Sequence, residues 1–235
     1  MAVRTVFFDA GETLLHAHPT FPDLLATTLR DAGHDVTPQA VHDRIHLMAD
    51  AFSAAAAAGD LWTTSAASSR RFWGDVYAVL LADLGVPAEV DLLDRLYATF
   101  TDHANYVLFD DVLPTLEALR DGGIRLGLIS NFEDWLEGLL EALGLSAFFE
   151  TRVISGLEGL EKPDPAIFRL ALDRLGVEAA ASAYVGDSPE FDMAPASDLG
   201  MLPLLIDRRD RHAGVAATRI RSLTEIPALL GLAAP

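Results

Sequence analysis

Apolar positions follow different periods in different parts of the chain. Residues 3–8 are β-branched or aromatic with one arginine, and the run stops at Asp9, which predicts a buried strand. From about residue 18 to 108 the apolar residues recur at helical spacing. Candidate helices lie at about 21–32, 37–58, 66–84 and 88–102. Four helices joined by short loops predict a small helical bundle.

After residue 108 helices and strands are expected to alternate. Candidate strands lie at 124–129, 152–154, 183–185 and 202–206, and candidate helices at about 112–121, 133–143, 165–175 and 191–199. Such alternation predicts an α/β fold, a Rossmann-like doubly wound parallel sheet. We therefore expect a core of residues 1–17 and 109–235, interrupted after its first strand by a helical insertion of residues 18–108. Asp110 and Asp111 are interpreted as N-cap residues of the helix that follows them.

Composition and charge narrow the function. The 235 residues include 35 acidic and 17 basic side chains, a formal net charge of −18, which argues against nucleic acid or an anionic membrane surface as partner. There is no cysteine, which excludes disulfides and thiolate chemistry. We expect no membrane span and no signal peptide, and hence a cytoplasmic protein. An anionic ligand would need a local positive site or a bound cation.

Residues able to do chemistry follow the predicted strands. In a sheet of this kind ligands bind beyond the carboxyl ends of the strands. Those ends carry Asp9, the pair Ser130-Asn131, and Asp187 with Asp192 five residues later; Lys162, the single lysine beside 16 arginines, precedes the 165–175 helix. Carboxylates suit Mg²⁺, serine and lysine suit a phosphate or carboxylate, and an aspartate at a strand tip can act as a nucleophile.

Four stretches together resemble the haloacid dehalogenase (HAD) superfamily, in its order and spacing. They are Phe7–Leu14 (FFDAGETL), Leu128–Asn131 (LISN), Glu161–Phe168 (EKPDPAIF) and Val185–Asp192 (VGDSPEFD). The resemblance covers the α/β core, and the helical insertion resembles the family's cap. The chain is similar to the subgroup of HAD-like hydrolases whose first motif lacks the second aspartate.

The resemblance implies a role for each matching residue in substrate chemistry. Asp9 would be the nucleophile that forms an aspartyl intermediate. Thr13 and Ser130 would hold the transferring group, helped by the backbone amide of Asn131. Lys162 would neutralise charge on that group and on Asp9.

It also implies a Mg²⁺ site. Asp187 would bind Mg²⁺ together with Asp9 and the carbonyl of Gly11. Asp192 would either bind the metal through water or orient Lys162. Mg²⁺ and Lys162 would then supply the local positive field that an anionic substrate needs.

Gly11 departs from the family's phosphatase motif, which has a general acid at this position. Its loss is harmless only for leaving groups of low pKa, such as acyl phosphates, aryl phosphates or halide. Glu12, His16 and His18 are the nearest candidates to replace the acid, although each also fits an ordinary turn or hinge role.

Three functions stay open at this point. We predict a Mg²⁺-dependent phosphatase of small phosphorylated metabolites. The first alternative is a metal-independent 2-haloacid dehalogenase. The resemblance argues against it through Asp187, because the family's dehalogenases lack an aspartate at that position. The second is a weakly active or inactive HAD scaffold that binds a metabolite or a protein. The sequence predicts no oligomeric state.

Overall fold

The computed structural model describes residues 3–215 and 217–232. The chain divides into two compact units, one made of residues 1–16 and 108–235, the core unit, and one of residues 17–107, the helical unit. No helix among the described residues has the length and apolarity that a bilayer crossing requires.

In chain order, the strands and helices of the two units have the following bounds. The strands are β1 Thr5–Phe8, β2 Leu15–Ala17, β3 Tyr106–Leu108, β4 Arg125–Ser130, β5 Thr151–Ile154, β6 Ser182–Gly186, β7 Leu202–Ile206 and β8 Thr218–Ile220. The helices are α1 Phe21–Asp31, α2 Pro38–His42, α3 His46–Ala58, α4 Ala66–Asp83, α5 Val90–Thr101, α6 Val112–Asp121, α7 Leu136–Ala142, α8 Ser155–Glu158, α9 Pro165–Leu175, α10 Ala194–Asp198 and α11 Ile226–Leu229.

A six-stranded parallel sheet forms the centre of the core unit, in the order β5-β4-β1-β6-β7-β8. β1 lies between β4 and β6, and all four of its residues are buried. Phe7 of β1 faces Gly127 of β4, where any Cβ atom would come within 2.5 Å of the Phe7 ring. This is the predicted α/β, Rossmann-like fold, and the interior position of β1 places Asp9 at the middle of the sheet's carboxyl edge.

The helical unit contains α1 to α5. Leu25, Leu29, Tyr77, Leu80 and Leu96 are buried in one apolar cluster within it. Trp62 is also buried and stacks on Phe72, with ring centroids 5.1 Å apart.

Three sequence-based predictions of local structure need correction. The single helix expected at 37–58 is two helices, α2 and α3, separated by residues 43–45. The helix expected at 191–199 starts as a π-helix, Pro189–Met193, before α10. Asp111 is the N-cap residue of α6, as expected, but its side chain makes no cap bond; its carboxylate accepts hydrogen bonds from Arg208 instead.

Candidate active site

Three adjacent strands bring the candidate residues together. Asp9 directly follows β1, Ser130 ends β4, and Asp187 directly follows β6. Since β4, β1 and β6 are parallel neighbours, these residues lie at one edge of the sheet. Lys162 comes from the loop before α9 and reaches the same place, because its ammonium group contacts Asp9.

Asp9 is buried and held through one oxygen. Its Oδ1 accepts hydrogen bonds from the Ser130 hydroxyl at 2.8 Å and from Lys162 Nζ at 2.8 Å. Oδ2 has no hydrogen-bond partner in the described part of the chain, residues 3–215 and 217–232. The carboxylate is therefore fixed in orientation while one oxygen stays available.

Lys162 is only 3% exposed, yet its ammonium has three acceptors. Besides Asp9 they are Asp192 Oδ1 at 2.6 Å and the Tyr184 hydroxyl at 3.1 Å. Burial alone would lower the pKa of Lys162, but the carboxylates of Asp192 and Asp9 outweigh it and raise the pKa. Lys162 thus stays charged, as a buried cation with all three N–H groups used.

Two further residues hold this lysine in place. The Asn131 side chain donates to the Lys162 carbonyl at 2.8 Å and accepts from its amide at 2.7 Å. Tyr184, which the sequence analysis missed, lies 2.9 Å from the Ile129 carbonyl through its hydroxyl. Tyr184 occupies a buried strand position, and its only sequence signal is a hydroxyl in the otherwise apolar segment Ala183–Val185.

Asp192 folds back over the end of β6. Its Oδ2 accepts the Ser188 amide at 2.9 Å, while Oδ1 holds Lys162. A Cβ atom at Gly186 would collide with this carboxylate, so the glycine makes the close approach possible. Of the two roles open for Asp192, the hydrogen bonds support positioning of Lys162.

Carboxylates crowd the site. Ligand atoms of Asp9, Asp187 and Asp192 all lie within 4.8 Å of one another. Burial raises the pKa of Asp187 well above its ordinary value, and the charges of Asp192, Asp9 and Glu12 raise it further, against a smaller opposing effect of Lys162. Three carboxylates facing one ammonium form a site that is short of positive charge, and their oxygens are the ligands of a hard cation. These residues fit Mg²⁺.

The loop after Asp9 carries Gly11, which lies against an aromatic ring. A Cβ atom at Gly11 would lie 3.2 Å from Cε2 of the Phe132 ring, so a side chain at this position would press on the ring. The next residue, Glu12, is exposed and adopts a left-handed φ of 53°. Thr13 is fully buried, and its hydroxyl has no hydrogen-bond partner within residues 3–215 and 217–232.

The two histidines considered as substitute acids lie just past this loop. The His16 ring packs against Phe109, with centroids 4.4 Å apart. His18 is exposed.

Comparison with known proteins places these residues in a family context. The chain matches the family model of haloacid dehalogenase-like hydrolases over residues 3–200. Haloacid dehalogenase-like hydrolase domain-containing protein 3 of Danio rerio is 31% identical over 235 residues, which cover 97% of this chain and 96% of that protein.

Two phosphatases match over shorter stretches. Glyceraldehyde 3-phosphate phosphatase of Methanopyrus kandleri is 36% identical over 137 residues, 56% of this chain and 58% of that protein. Phosphoserine phosphatase of Thermus thermophilus is 35% identical over 133 residues, 55% of this chain and 53% of that protein.

Solved structures share the fold along the whole chain. A HAD hydrolase of Bacillus subtilis, solved bound to magnesium, superposes with a TM-score of 0.81 at 18% identity and covers 99% of this chain and 100% of its own. An L-2-haloacid dehalogenase superposes with a TM-score of 0.76 at 21% identity, with 98% and 100% covered. At these identities the likeness concerns the fold alone.

Proposed function

Because the chain belongs to the haloacid dehalogenase-like hydrolases, we propose that it is a Mg²⁺-dependent phosphatase of small phosphorylated molecules, with Asp9 as nucleophile. The observation that carries the proposal is the arrangement around Asp9. Its carboxylate is held by Ser130 and by the buried cation Lys162, and it lies beside two further carboxylates, Asp187 and Asp192.

The chain's own residues support a two-step transfer. A carboxylate oxygen of Asp9 attacks phosphorus, the bond to the leaving oxygen breaks, and that oxygen departs with the electron pair. Ser130 and Lys162 donate hydrogen bonds to Asp9, and Asn131, Tyr184 and Asp192 keep Lys162 in position. Water then attacks the phosphorus of the aspartyl-phosphate, Asp9 leaves as carboxylate, and phosphate departs with both protons of the water.

Asp9, Asp187 and the Gly11 carbonyl would hold Mg²⁺, whose positive charge would offset the phosphoryl charge. Thr13 carries a buried hydroxyl without a partner among the described residues, which supports a role in binding the transferring group. We also propose that the helical unit serves as the cap that selects the substrate.

Gly11 favours a second candidate, because displacement of halide also needs no general acid. In that reaction Asp9 would attack the carbon that bears the halogen of a 2-haloacid. The carboxylate cluster argues against it, since that reaction uses no metal, and without one the three acids outnumber the single ammonium of Lys162 and repel a carboxylate substrate. Phosphoryl transfer is therefore the function that the site supports best.

A small substrate panel tests the proposal. With Mg²⁺ we expect phosphate release from acetyl phosphate and p-nitrophenyl phosphate, with sugar phosphates slower by a factor on the order of 10² or more, since their leaving group needs a proton. EDTA and Asp9→Asn should each abolish release, whereas Asp173→Asn, at an exposed acid of α9, should not.

Halide release from 2-chloropropionate in EDTA, without phosphate release, would replace phosphatase by dehalogenase. Release of neither product would leave the third candidate function, a scaffold that binds a metabolite or a protein.

A further inference from the structure

A second charged region adjoins the carboxylate cluster. The core unit contains an open cleft of about 190 Å³ whose lining includes Glu12 and Asp187. The lining also includes Arg209, Arg211 and His212, from the loop that follows β7. Three basic residues within four positions stand out in a chain of net charge −18.

The arginines near this cleft differ in how their side chains are used. Arg208 forms two hydrogen bonds to the Asp111 carboxylate, at 2.7 and 2.9 Å, and its guanidinium lies 3.8 Å from the centre of the Phe109 ring. In contrast, the exposed side chains of Arg209 and Arg211 make no hydrogen bond or ion pair with any residue in 3–215 or 217–232. Two guanidinium groups of this cleft are therefore available to a ligand.

The loop that carries them is built by a buried acid. Asp207 is 4% exposed and accepts the amides of Arg211 at 2.8 Å and His212 at 2.9 Å, while Arg219 lies 3.0 Å from its Oδ2. Asp210 stands between the two available arginines with a left-handed φ of 53°. These contacts hold the loop in one conformation before a ligand binds, which reduces the conformational entropy lost on binding.

We propose that this cleft binds a second anionic group of the substrate, a carboxylate or a phosphate. Guanidinium groups bind both with paired, charge-assisted hydrogen bonds. The cleft includes Asp187 in its lining, so one small molecule could present its phosphoryl group to Asp9 and its second anion to Arg209 and Arg211. The inference rests on the phosphatase function proposed above and narrows its substrate to phosphate esters with two anionic groups.

A matched pair of aryl phosphates tests the subsite. Phenyl phosphate and 4-(carboxymethyl)phenyl phosphate release phenols of similar pKa, so they differ chiefly in the second anion. We expect the wild type to prefer the carboxylate-bearing ester about tenfold in kcat/KM, mainly through KM. The variant Arg209→Gln/Arg211→Gln should reduce this ratio to about twofold or less.

The control removes equal charge elsewhere. Arg4 precedes β1, at the opposite edge of the sheet, and Arg169 is exposed on α9. Arg4→Gln/Arg169→Gln should keep the tenfold ratio. A loss of the ratio in this control too would assign the preference to overall charge and overturn the subsite.

A third ester, 1,4-phenylene bisphosphate, separates the two ligand types. If its kcat/KM exceeds that of phenyl phosphate by more than the carboxylate-bearing ester does, the subsite prefers a phosphate. If it exceeds it by less, the subsite prefers a carboxylate.

Failure of the subsite and failure of the phosphatase are distinguishable. Equal kcat/KM for both esters in the wild type would overturn the subsite and leave the phosphatase standing. If neither ester is hydrolysed, calorimetric titration of the Asp9→Asn variant with each ester decides the subsite alone. Tighter binding of the carboxylate-bearing ester, lost on adding Arg209→Gln/Arg211→Gln, would support it, and equal binding would overturn it.

Discussion

Gly11 lies against the ring of Phe132, which limits the side chains that fit at position 11. The Phe132 backbone is fixed by Ser155, whose hydroxyl accepts from its amide and donates to its carbonyl, both at 2.9 Å. The ring packs edge-on against Trp135, with centroids 5.1 Å apart. A side chain at position 11 therefore meets a ring that is held from two sides.

We predict that an acid can be restored only when the ring is removed as well. Gly11→Asp alone should not speed hydrolysis of a sugar phosphate, because the new side chain meets the Phe132 ring. Gly11→Asp/Phe132→Ala should exceed Phe132→Ala by about tenfold or more, the low end of the effect of a general acid. The ratio of sugar phosphate to acetyl phosphate turnover measures this, since acetyl phosphate needs no proton.

Asparagine provides the matched control for that prediction. Gly11→Asn/Phe132→Ala has nearly the same shape as the aspartate variant but no transferable proton, so its ratio should stay at the level of Phe132→Ala. An equal rise of the ratio in the asparagine variant would mean that the space at position 11, not proton transfer, limits the reaction. A full gain with Gly11→Asp alone would mean that the ring is no obstacle.

Tyr184 and Phe132 are site residues that the sequence analysis missed, and the reason is physical. Tyr184 and Phe132 have the pattern of ordinary core or turn positions, and their roles depend on contacts far away in sequence. Tyr184 contacts Lys162, 22 positions earlier, and Phe132 lies against Gly11, 121 positions away. Asp9 and Ser130 have reactive or hydrogen-bonding side chains at strand ends. They could be proposed as site residues because the fold class fixes where strand ends meet.

At the scale of elements, Asp111 joins three separate segments of the core unit. It stands at the start of α6, and its carboxylate accepts from Arg208, in the loop after β7, and from the Ser222 hydroxyl and the Leu223 amide, in the turn after β8. Burial raises the pKa of Asp111, but the hydrogen bonds from Arg208, Leu223 and Ser222 outweigh it and lower the pKa.

We predict that Asp111→Asn lowers stability in a pH-dependent way. A carboxyl whose pKa is lowered in the folded state contributes stability above the unfolded pKa, about 3.9, and loses it as pH falls through the folded value. Asp111→Asn should therefore cost about 2 kcal/mol near pH 7, and the difference from wild type should shrink as pH falls below about 4. Denaturant unfolding across this pH range measures it.

The neighbouring acid is the control. Asp110 is exposed, and Asp110→Asn should change stability little at any pH. A cost for Asp111→Asn that does not depend on pH would mean that shape, not charge, holds the three segments.

Helix and strand patterns predicted most elements of the core, because a buried parallel sheet requires long apolar runs. The errors arose where a tertiary contact overrides local preference. Asp111 has the sequence of an N-cap but pairs with Arg208, 97 positions away. The start of the 191–199 helix is a π-turn, at the point where Asp192 folds back to hold Lys162. β8 lies at the sheet edge, is three residues long and carried no pattern strong enough to predict it.

On the scale of the whole molecule, the net charge of −18 complicates any test for a specific cation. Divalent ions at millimolar concentration screen an acidic surface and stabilise such a protein without binding at one place. The metal site proposed at Asp9 and Asp187 would differ in that it saturates, and a bound ion would stabilise the folded state by its occupancy.

We predict that Mg²⁺ raises Tm in a saturable way through Asp187. At about 100 times Kd a single site contributes about 2.7 kcal/mol, which for a chain of this size is a rise of several degrees. Asp187→Asn should abolish the saturable rise, and Asp198→Asn, an exposed acid at the end of α10, should keep it. Scans with Mg²⁺ and with NaCl of equal ionic strength separate the two effects. An equal rise with both salts, unchanged in Asp187→Asn, would assign the stabilisation to the surface charge and leave the cluster without a metal role.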